Sequence, residues 1–286
     1  MTKNIKGQFV VIISILVLSA CSNMSPFTEE LFEETSYSTD QFSYQEDRIE
    51  VGTVYNFQIS NSDRSYIKKV SLYTADTNKI EAFKIYPGSS STVLVSAEID
   101  WELFSIKTIE QTEIAEDLSR KSTLEMHLLD DPGNSYLMNN EDEIPTGHFP
   151  AFNHGFDFSD LNFVFRHLVD PKSNIEVGIL APVRKMFSFH FAYTGKMLIT
   201  FEGEDTYNDN ECYRYSLSGQ GIGEREGYIL VNKDLGHFEY MELDANYHPE
   251  MDYFRYELLD VVTMSQEEWE TFVDDETEDY FSTKLL

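Results

Sequence analysis

Apolar and polar residues alternate with a period of two over most of the chain from residue 51 onward. The run Val51-Gly-Thr-Val-Tyr-Asn-Phe-Gln-Ile59 sets the pattern, and residues 66–73, 79–86, 92–99, 103–109 and 122–129 repeat it. Successive side chains of a strand point to opposite faces, so this period predicts strands with a buried face. Turn-forming clusters separate them: Asn61-Ser-Asp63, Asp76-Thr-Asn78, Pro87-Gly-Ser89 and Asp130-Asp-Pro-Gly-Asn134. A second series covers 175–180, 186–193, 197–201, 211–217, 227–232, 237–243 and 253–262. Gly195-Lys196 and Lys233-Asp-Leu-Gly236 are predicted to join neighbouring strands as hairpin turns. Short strands at this spacing predict an antiparallel sheet or sandwich.

Two segments break the alternation. Leu161, Val164, Phe165 and Leu168 fall at i, i+3, i+4 and i+7, which predicts a helix from Ser159 to about Val169. Ser159 or Asp160 can cap it, Phe163 and Val169 widen its apolar face, and Pro171 stops it. Ser265 and Glu268 stand in capping-box spacing and predict a short helix start, followed by an acidic tail over 274–279. Residues 139–158 are rich in loop formers, with Pro145, Gly147, Pro150 and Gly155. A connection of that length is either functional or a boundary between subdomains near 139–150. No repeat of 20–50 residues occurs.

The N-terminus follows different rules. Lys3 and Lys6 precede an apolar run over 9–18 that only Ser14 interrupts. This is the layout of a secretory signal peptide. It falls short of the roughly 20 apolar residues that a membrane-spanning helix needs. The run ends Leu18-Ser-Ala-Cys21, which resembles the bacterial lipobox. The resemblance implies cleavage after residue 20, a thioether-linked diacylglycerol on Cys21 and acylation of the new amine. Such a group supplies two chains to the bilayer, enough for stable anchoring. Ser22 rather than Asp follows Cys21, and for enteric-type bacteria the resemblance then implies the outer membrane over the inner. The expected organisation is a signal peptide over 1–20, a flexible acidic tether over 21–48, a β-rich domain over 49–264, and a short helix with an acidic tail over 265–286. Phe27, Leu31, Phe32 and Tyr37 in the tether can form a helical turn or dock on the domain.

Charge narrows the partners. Lys and Arg total 21 against 51 Asp and Glu, a formal net charge of −30. A surface so acidic repels nucleic acid and anionic headgroups, so a nucleic-acid partner is excluded. It also suits a salty habitat, where screening shortens like-charge repulsion. A 41% hydrophobic content with 21 Phe and 17 Tyr is enough for a packed core rich in strand-forming aromatics. With Cys21 acylated, Cys212 stands alone and is read as a small buried hydrophobe in a strand.

Motifs that carry chemistry are sparse. Gly219-Gln-Gly-Ile-Gly223 precedes a strand rather than the helix a phosphate loop requires, so it reads as a sharp hairpin or bulge. Asp205, Asn208, Asp209, Asn210 and Glu211 offer oxygen ligands of the kind Ca²⁺ takes, but EF-hand spacing is absent and chance clusters are expected among so many acids. His148, His154 and Asp157 are the nearest approach to a zinc-type set, without its spacing. No nucleophile elbow, Cys–His pair or cofactor fingerprint is read, and neither a catalytic residue nor a cofactor is assigned. Carboxylates that can pair for glycoside hydrolysis are plentiful, but the sequence does not choose among them.

Residues 150–262 resemble an uncharacterised family of bacterial envelope proteins. The resemblance rests on Asp160-Leu-Asn-Phe-Val-Phe-Arg166, on Glu211-Cys-Tyr-Arg-Tyr215, on Gly221-Ile-Gly-Glu-Arg-Glu-Gly-Tyr-Ile-Leu-Val-Asn-Lys-Asp234 and on Phe254-Arg-Tyr-Glu-Leu258. That family is similar in outline to outer-membrane lipoprotein carriers, which implies a curved antiparallel sheet wrapped on a helix, with a concave face able to hold an acyl chain. The fold class expected is therefore mainly β, a β-rich α+β domain with a curved antiparallel sheet or sandwich packed on one buried helix and a short C-terminal helix. Arg166, on a mostly apolar helix, is expected to be a structural ion-pair partner. The function expected is a membrane-anchored envelope lipoprotein that binds a hydrophobic ligand, a glycan or a partner protein without catalysis. The alternatives are a glycan-directed hydrolase and a purely structural surface lipoprotein.

Overall fold

Strands form where the alternation predicts them and pair into one 15-stranded sheet. The computed structural model describes residues 40–102, 104–131, 134–139, 142–145, 151–153, 158–185, 188–223, 225–248 and 251–284. From β1 (Thr53–Ser60) the chain meanders through β2 (Ile67–Asp76), β3 (Lys79–Ile85), β4 (Thr92–Asp100), β5 (Ser105–Ile114), β6 (Arg120–Asp131), β7 (Asn134–Asn139) and β8 (Asp142–Pro145). Each pairs antiparallel with the one before.

The return begins at the opposite edge. β9 (Ala151–Asn153) lies parallel to β10 (Ile175–Lys185), and the chain meanders back through β11 (Ser188–Tyr207), β12 (Asn210–Ser218), β13 (Gly227–Asn232), β14 (Phe238–His248) and β15 (Met251–Thr263). β15 then pairs antiparallel with β1, with Val261 opposite Tyr55, so the first and last strands join the two meanders. The sheet curls: β9 lies against β5 and β8 against β11.

Gly195-Lys196 is not the hairpin turn that its residues predict. β11 continues through it without turning back, and β10 answers with a register shift between Ile179 and Leu180. Gly195 at φ +116° kinks the strand and leaves room for the loop that joins β12 to β13. A Cβ on Gly221 of that loop would stand 2.6 Å from the Gly195 carbonyl oxygen, and Thr194 Oγ1 donates to the Gly221 carbonyl at 2.9 Å. The glycine-rich stretch thus serves close backbone approach, with a 3₁₀ turn at Gln220–Ile222 in place of a sharp hairpin.

The concave face carries the main core. Tyr55, Phe57 and Ile59 of β1, Val70 and Leu72 of β2, and Ile229, Phe238 and Tyr256 from the return meander all sit in it. Inside lies the segment predicted as a helix, buried from Phe158 to Leu168 but shorter in its regular part. Phe158 enters at φ +67°, a 3₁₀ turn spans Ser159–Leu161, and α1 spans only Asn162–Phe165. Neither Ser159 nor Asp160 caps it. Asn162 ties it instead, with its Nδ2 donating to the Ser159 carbonyl and its Oδ1 accepting the Phe238 N–H at 2.9 Å. The helix stops early because another segment takes its next backbone groups: the His167 carbonyl accepts from Ser43 N–H, and Val169 N–H donates to Gln41.

The C-terminal helix, α2 (Gln266–Lys284), extends through the acidic run that reads as a tail. Its start is the capping box foreseen, with Ser265 N–H on Glu268 Oε2 at 2.7 Å and Glu268 N–H on Ser265 Oγ at 3.3 Å. Trp269, Val273, Thr277 and Phe281 form one buried stripe at four-residue spacing, and the acids occupy the rest of the surface. The stripe covers the outer face of β1 to β4. Trp269 stacks on Tyr73 at 4.9 Å and donates to Glu81 Oε2 at 2.7 Å, while Thr277 meets Thr92 at 2.9 Å. Strands such as β3 are therefore buried on both faces. Among the described residues no helix is long and apolar enough to cross a membrane.

Trp269 is 1% exposed and anchors this second core. Trp269→Ala should lower the unfolding free energy by about 3–5 kcal/mol, the usual cost of removing a buried aromatic. Urea denaturation followed by far-ultraviolet circular dichroism reads the loss, and an unchanged midpoint would show that α2 adds nothing to the sheet.

Candidate functional site

Buried polar side chains, Arg166 and His167 among them, gather where residues 41–49 cross the curled sheet. These residues pack as part of the domain, although the sequence assigns them up to 48 to a tether. Phe42 bridges to Leu168 and stacks on Phe104 at 5.1 Å, Tyr44 stacks on Trp101 at 5.2 Å, and Ile49 is buried. The aromatic spacing of Phe42 and Tyr44 and the short Glu46–Arg48 3₁₀ turn convert an apparently flexible stretch into a strap.

Beneath the strap stand Arg166 and His167. The expectation of an ion pair for Arg166 is not met. Its Nη2 donates to the Tyr55 hydroxyl at 2.8 Å and its Nη1 to the Arg48 carbonyl at 3.1 Å, while Arg48 Nη1 donates back to the Arg166 carbonyl at 3.1 Å. Its guanidinium also lies 5.5 Å from the Tyr55 ring centre and 5.6 Å from that of Phe163. Neutral oxygens and aromatic faces thus solvate this cation, and no carboxylate among the described residues pairs with it. Gly236 in the β13–β14 turn makes room for it: at φ +70°, a Cβ there would stand 2.8 Å from Arg166 Cβ.

His167 is fully buried. Its Nδ1 accepts the Gln45 N–H at 3.2 Å, and Trp101, Phe104 and Tyr44 surround the ring. Burial, then the neighbouring Arg166 and Arg48, push its pKa down to about 4. The ring is therefore neutral at ordinary pH, as acceptance from Gln45 requires.

A second polar group lies on the adjoining strands. Glu239 Oε1 accepts from Asn232 Nδ2 at 2.8 Å, from Asn210 Nδ2 at 3.0 Å and faces His237 Nε2 at 3.2 Å. Burial alone would raise this carboxyl, but the bonds from His237, Asn232 and Asn210 outweigh it and hold it below the usual range. Cys212 is close enough to feel the Glu239 charge. Burial first, and then Glu239, raise its thiol to about 11. A thiol, histidine, amide and carboxylate thus share one corner of the sheet, yet the sulfur stays protonated where a nucleophile must ionise. The buried reading of Cys212 holds, and the His–carboxylate pair is closed off, with side chains 5% and 8% exposed.

Other sequence candidates fare differently. The oxygen-rich stretch at 205–211 is the β11–β12 turn, with Asn208 and Asp209 both at positive φ. Such a two-residue turn asks for Asn and Asp on conformational grounds. Asp205 pairs with Arg214 and Glu211 with Lys233, and among the described residues no group of three or more His, Cys, Asp or Glu side chains is placed to hold a metal. The structure thus does not assemble the calcium cluster. Cys21, His148, His154 and Asp157 lie outside the described residues. Sequence reading missed Lys68 and Lys84, which are 4% and 2% exposed and point their ammonium groups at the Tyr86 ring from 4.1 and 5.6 Å. Their signal was present: each lysine occupies a concave position whose neighbours on that face of the strand are apolar, Val70 and Leu72 for Lys68, Ile80 and Ala82 for Lys84.

No protein-family model matches the chain. No curated protein matches it either. Among solved structures it is similar to a β-barrel-like protein of the domain of unknown function DUF1849 from Brucella abortus, at 7% identity and a TM-score of 0.41, over 74% of this chain and 96% of that one.

The His167 environment fixes a pH dependence. An ordinary histidine near 6.5 binds a proton in the unfolded chain before the folded ring does, so stability is full above 6.5 and is lost as pH falls toward about 4. The loss is on the order of 2–3 kcal/mol. Urea midpoints of the protein and of His167→Phe, measured from pH 7 to 4.5, should converge as pH falls. A constant gap would mean that the ring is not held neutral.

Proposed function

We propose that the chain is a lipid-anchored protein of the bacterial envelope whose β domain works by binding rather than by catalysis. The anchor rests on Lys3, Lys6, the apolar run over 9–18 and Leu18-Ser-Ala-Cys21. Only a thiol at Cys21 gives the lipid donor a good nucleophile, and the small Ser19 and Ala20 let a peptidase approach the backbone. Ser22 supports an outer-membrane location.

One observation supports binding at the outside of the domain. The concave face, where a carrier of similar outline would hold an acyl chain, is occupied by the chain's own Phe158 to Leu168. The polar groups beside that segment fix it in place: Arg166 on Tyr55 and Arg48, Asn162 on Phe238, His167 on Gln45. This favours a macromolecular partner over an acyl chain in the interior. A formal charge of −30 steers cationic partners toward the surface.

Intact-mass analysis of the native protein tests the anchor. The mature chain should begin at Cys21 and carry a diacylglyceryl group, and Cys21→Ser should leave an uncleaved, unacylated precursor. A native protein with an unmodified Cys21 would overturn the anchor. Native mass spectrometry of the same preparation tests the binding mode, because a stoichiometric copurified lipid beyond the anchor would return the interior to the carrier reading.

A further inference from the structure

We propose that residues 258–263, the final part of β15, form an open sheet edge that takes up an extended cationic peptide segment of a partner protein. This deepens the binding reading above by naming the partner's chemistry, and it does not depend on the anchor.

The edge follows from the register. The β14–β15 ladder ends at Tyr240 opposite Glu257, yet β15 continues to Thr263, paired only with β1. Phe238, the first residue of β14, pairs with Val231 on its other side and with no residue of β15. A register shift opposite Asn56 and Phe57 inserts Leu259 as an extra residue in β15. Such a bulge sharpens the twist and carries a strand away from its neighbour. Backbone groups of 258–263 that point toward β14 therefore have no ladder to join. All five residues from 259 to 263 are exposed, although they lie in the middle of a 15-stranded sheet. Leu259, Val261 and Val262 are 58%, 43% and 36% exposed, and Leu235 in the turn before β14 is 58% exposed.

A second open stretch shows what a guarded edge looks like here. Beyond Ile199, β11 continues to Tyr207 paired only with β12. That stretch carries Glu202, Glu204 and Asp205, has a register shift at Gly203, and has its Phe201 N–H taken by the Asn174 side chain. Charges, bulges and covering groups are the usual protection against strand addition. The β15 stretch has a bulge but offers apolar side chains where β11 offers acids. Main-chain bonding along such an edge gives affinity, and the side chains beside it select the strand.

Charge selects the occupant. The chain holds no Lys or Arg between Arg255 and Lys284, whereas Asp260 lies in the strip and Glu267 and Glu270 stand in the first turns of α2 beyond it. Asp234 adds a carboxylate in the turn before β14. A second copy would bring the same acids to the contact, and the segment upstream of the domain, with Glu29, Glu30, Glu33 and Glu34, is acidic too. Like charges oppose both, and an apolar strand interspersed with Lys or Arg satisfies edge and field together.

The test uses the full-length protein in mild non-ionic detergent and two labelled peptides of equal length and charge. One alternates valine with lysine; the other alternates proline with lysine and cannot join a ladder. Fluorescence anisotropy should show the valine peptide binding roughly tenfold or more tightly than the proline peptide. Hydrogen exchange should slow at 258–263 on its addition. The exposed double substitution Leu259→Gln/Val261→Gln should weaken binding severalfold with the circular dichroism spectrum unchanged. Equal binding of the two peptides, no binding, or protection confined to another strand would overturn the proposal. So would dimerisation in sedimentation that protects 258–263 without peptide, which would make a second copy the occupant. None of these outcomes alters the mass of the N-terminus or the lipid content, which judge the anchor and the carrier readings separately.

Discussion

The ladder between β1 and β15 makes one sheet out of two meanders. Its residues are about two hundred positions apart in sequence, and each half of the sheet ends at it. β1 also links the two apolar layers. Val54 reaches outward to the core beneath α2, while Tyr55, Phe57 and Ile59 reach inward to the segment that fills the curl. Asn56, half-buried between them, ties the ladder with a 2.6 Å bond from its Nδ2 to Asp260. Loss of this pairing would open both layers at once. Contacts so distant in sequence are also costly to close, which makes this seam a candidate for the late step of folding.

Around that seam the molecule solves the burial of charge by neutral means. Arg166 is held by a hydroxyl, a carbonyl and two rings, and His167 is kept uncharged beside it. Pairing a buried Arg with a carboxylate would add a second desolvated ion, and its attraction need not repay that cost. The reciprocal bonds between Arg48 and Arg166 do a further job. They lock the strap across the curl, each guanidinium donating to the other residue's backbone carbonyl, so the contact needs both arginine side chains as well as the path of the chain that brings them together.

Much of this architecture was legible in the residues. A strict period of two located most strands, because one face of each is buried and the side chains alternate across it. Ser265 and Glu268 declared the start of α2. Its length was hidden, because one stripe of Trp269, Val273, Thr277 and Phe281 is diluted by Asp274, Asp275, Glu276, Glu278 and Asp279, and burial of a single stripe against a sheet outweighs composition. Gly195 misled because a positive-φ glycine serves a kink as well as a turn. Local spacing predicts a helix that runs to about Val169, whereas its regular part ends at Phe165, because its stop lies in a partner, the strap at 41–43, that local spacing does not reveal. The polar corner of Cys212, Asn232, His237 and Glu239 is legible only through strand register, which no local motif records.

Joining the first strand to the last has a consequence for how such a protein is made. A chain that emerges from its N-terminus exposes β1 to β8 long before β15 and α2 exist to cover them. The early half cannot lock into its final form, and it carries sticky surface on two sides for as long as synthesis continues.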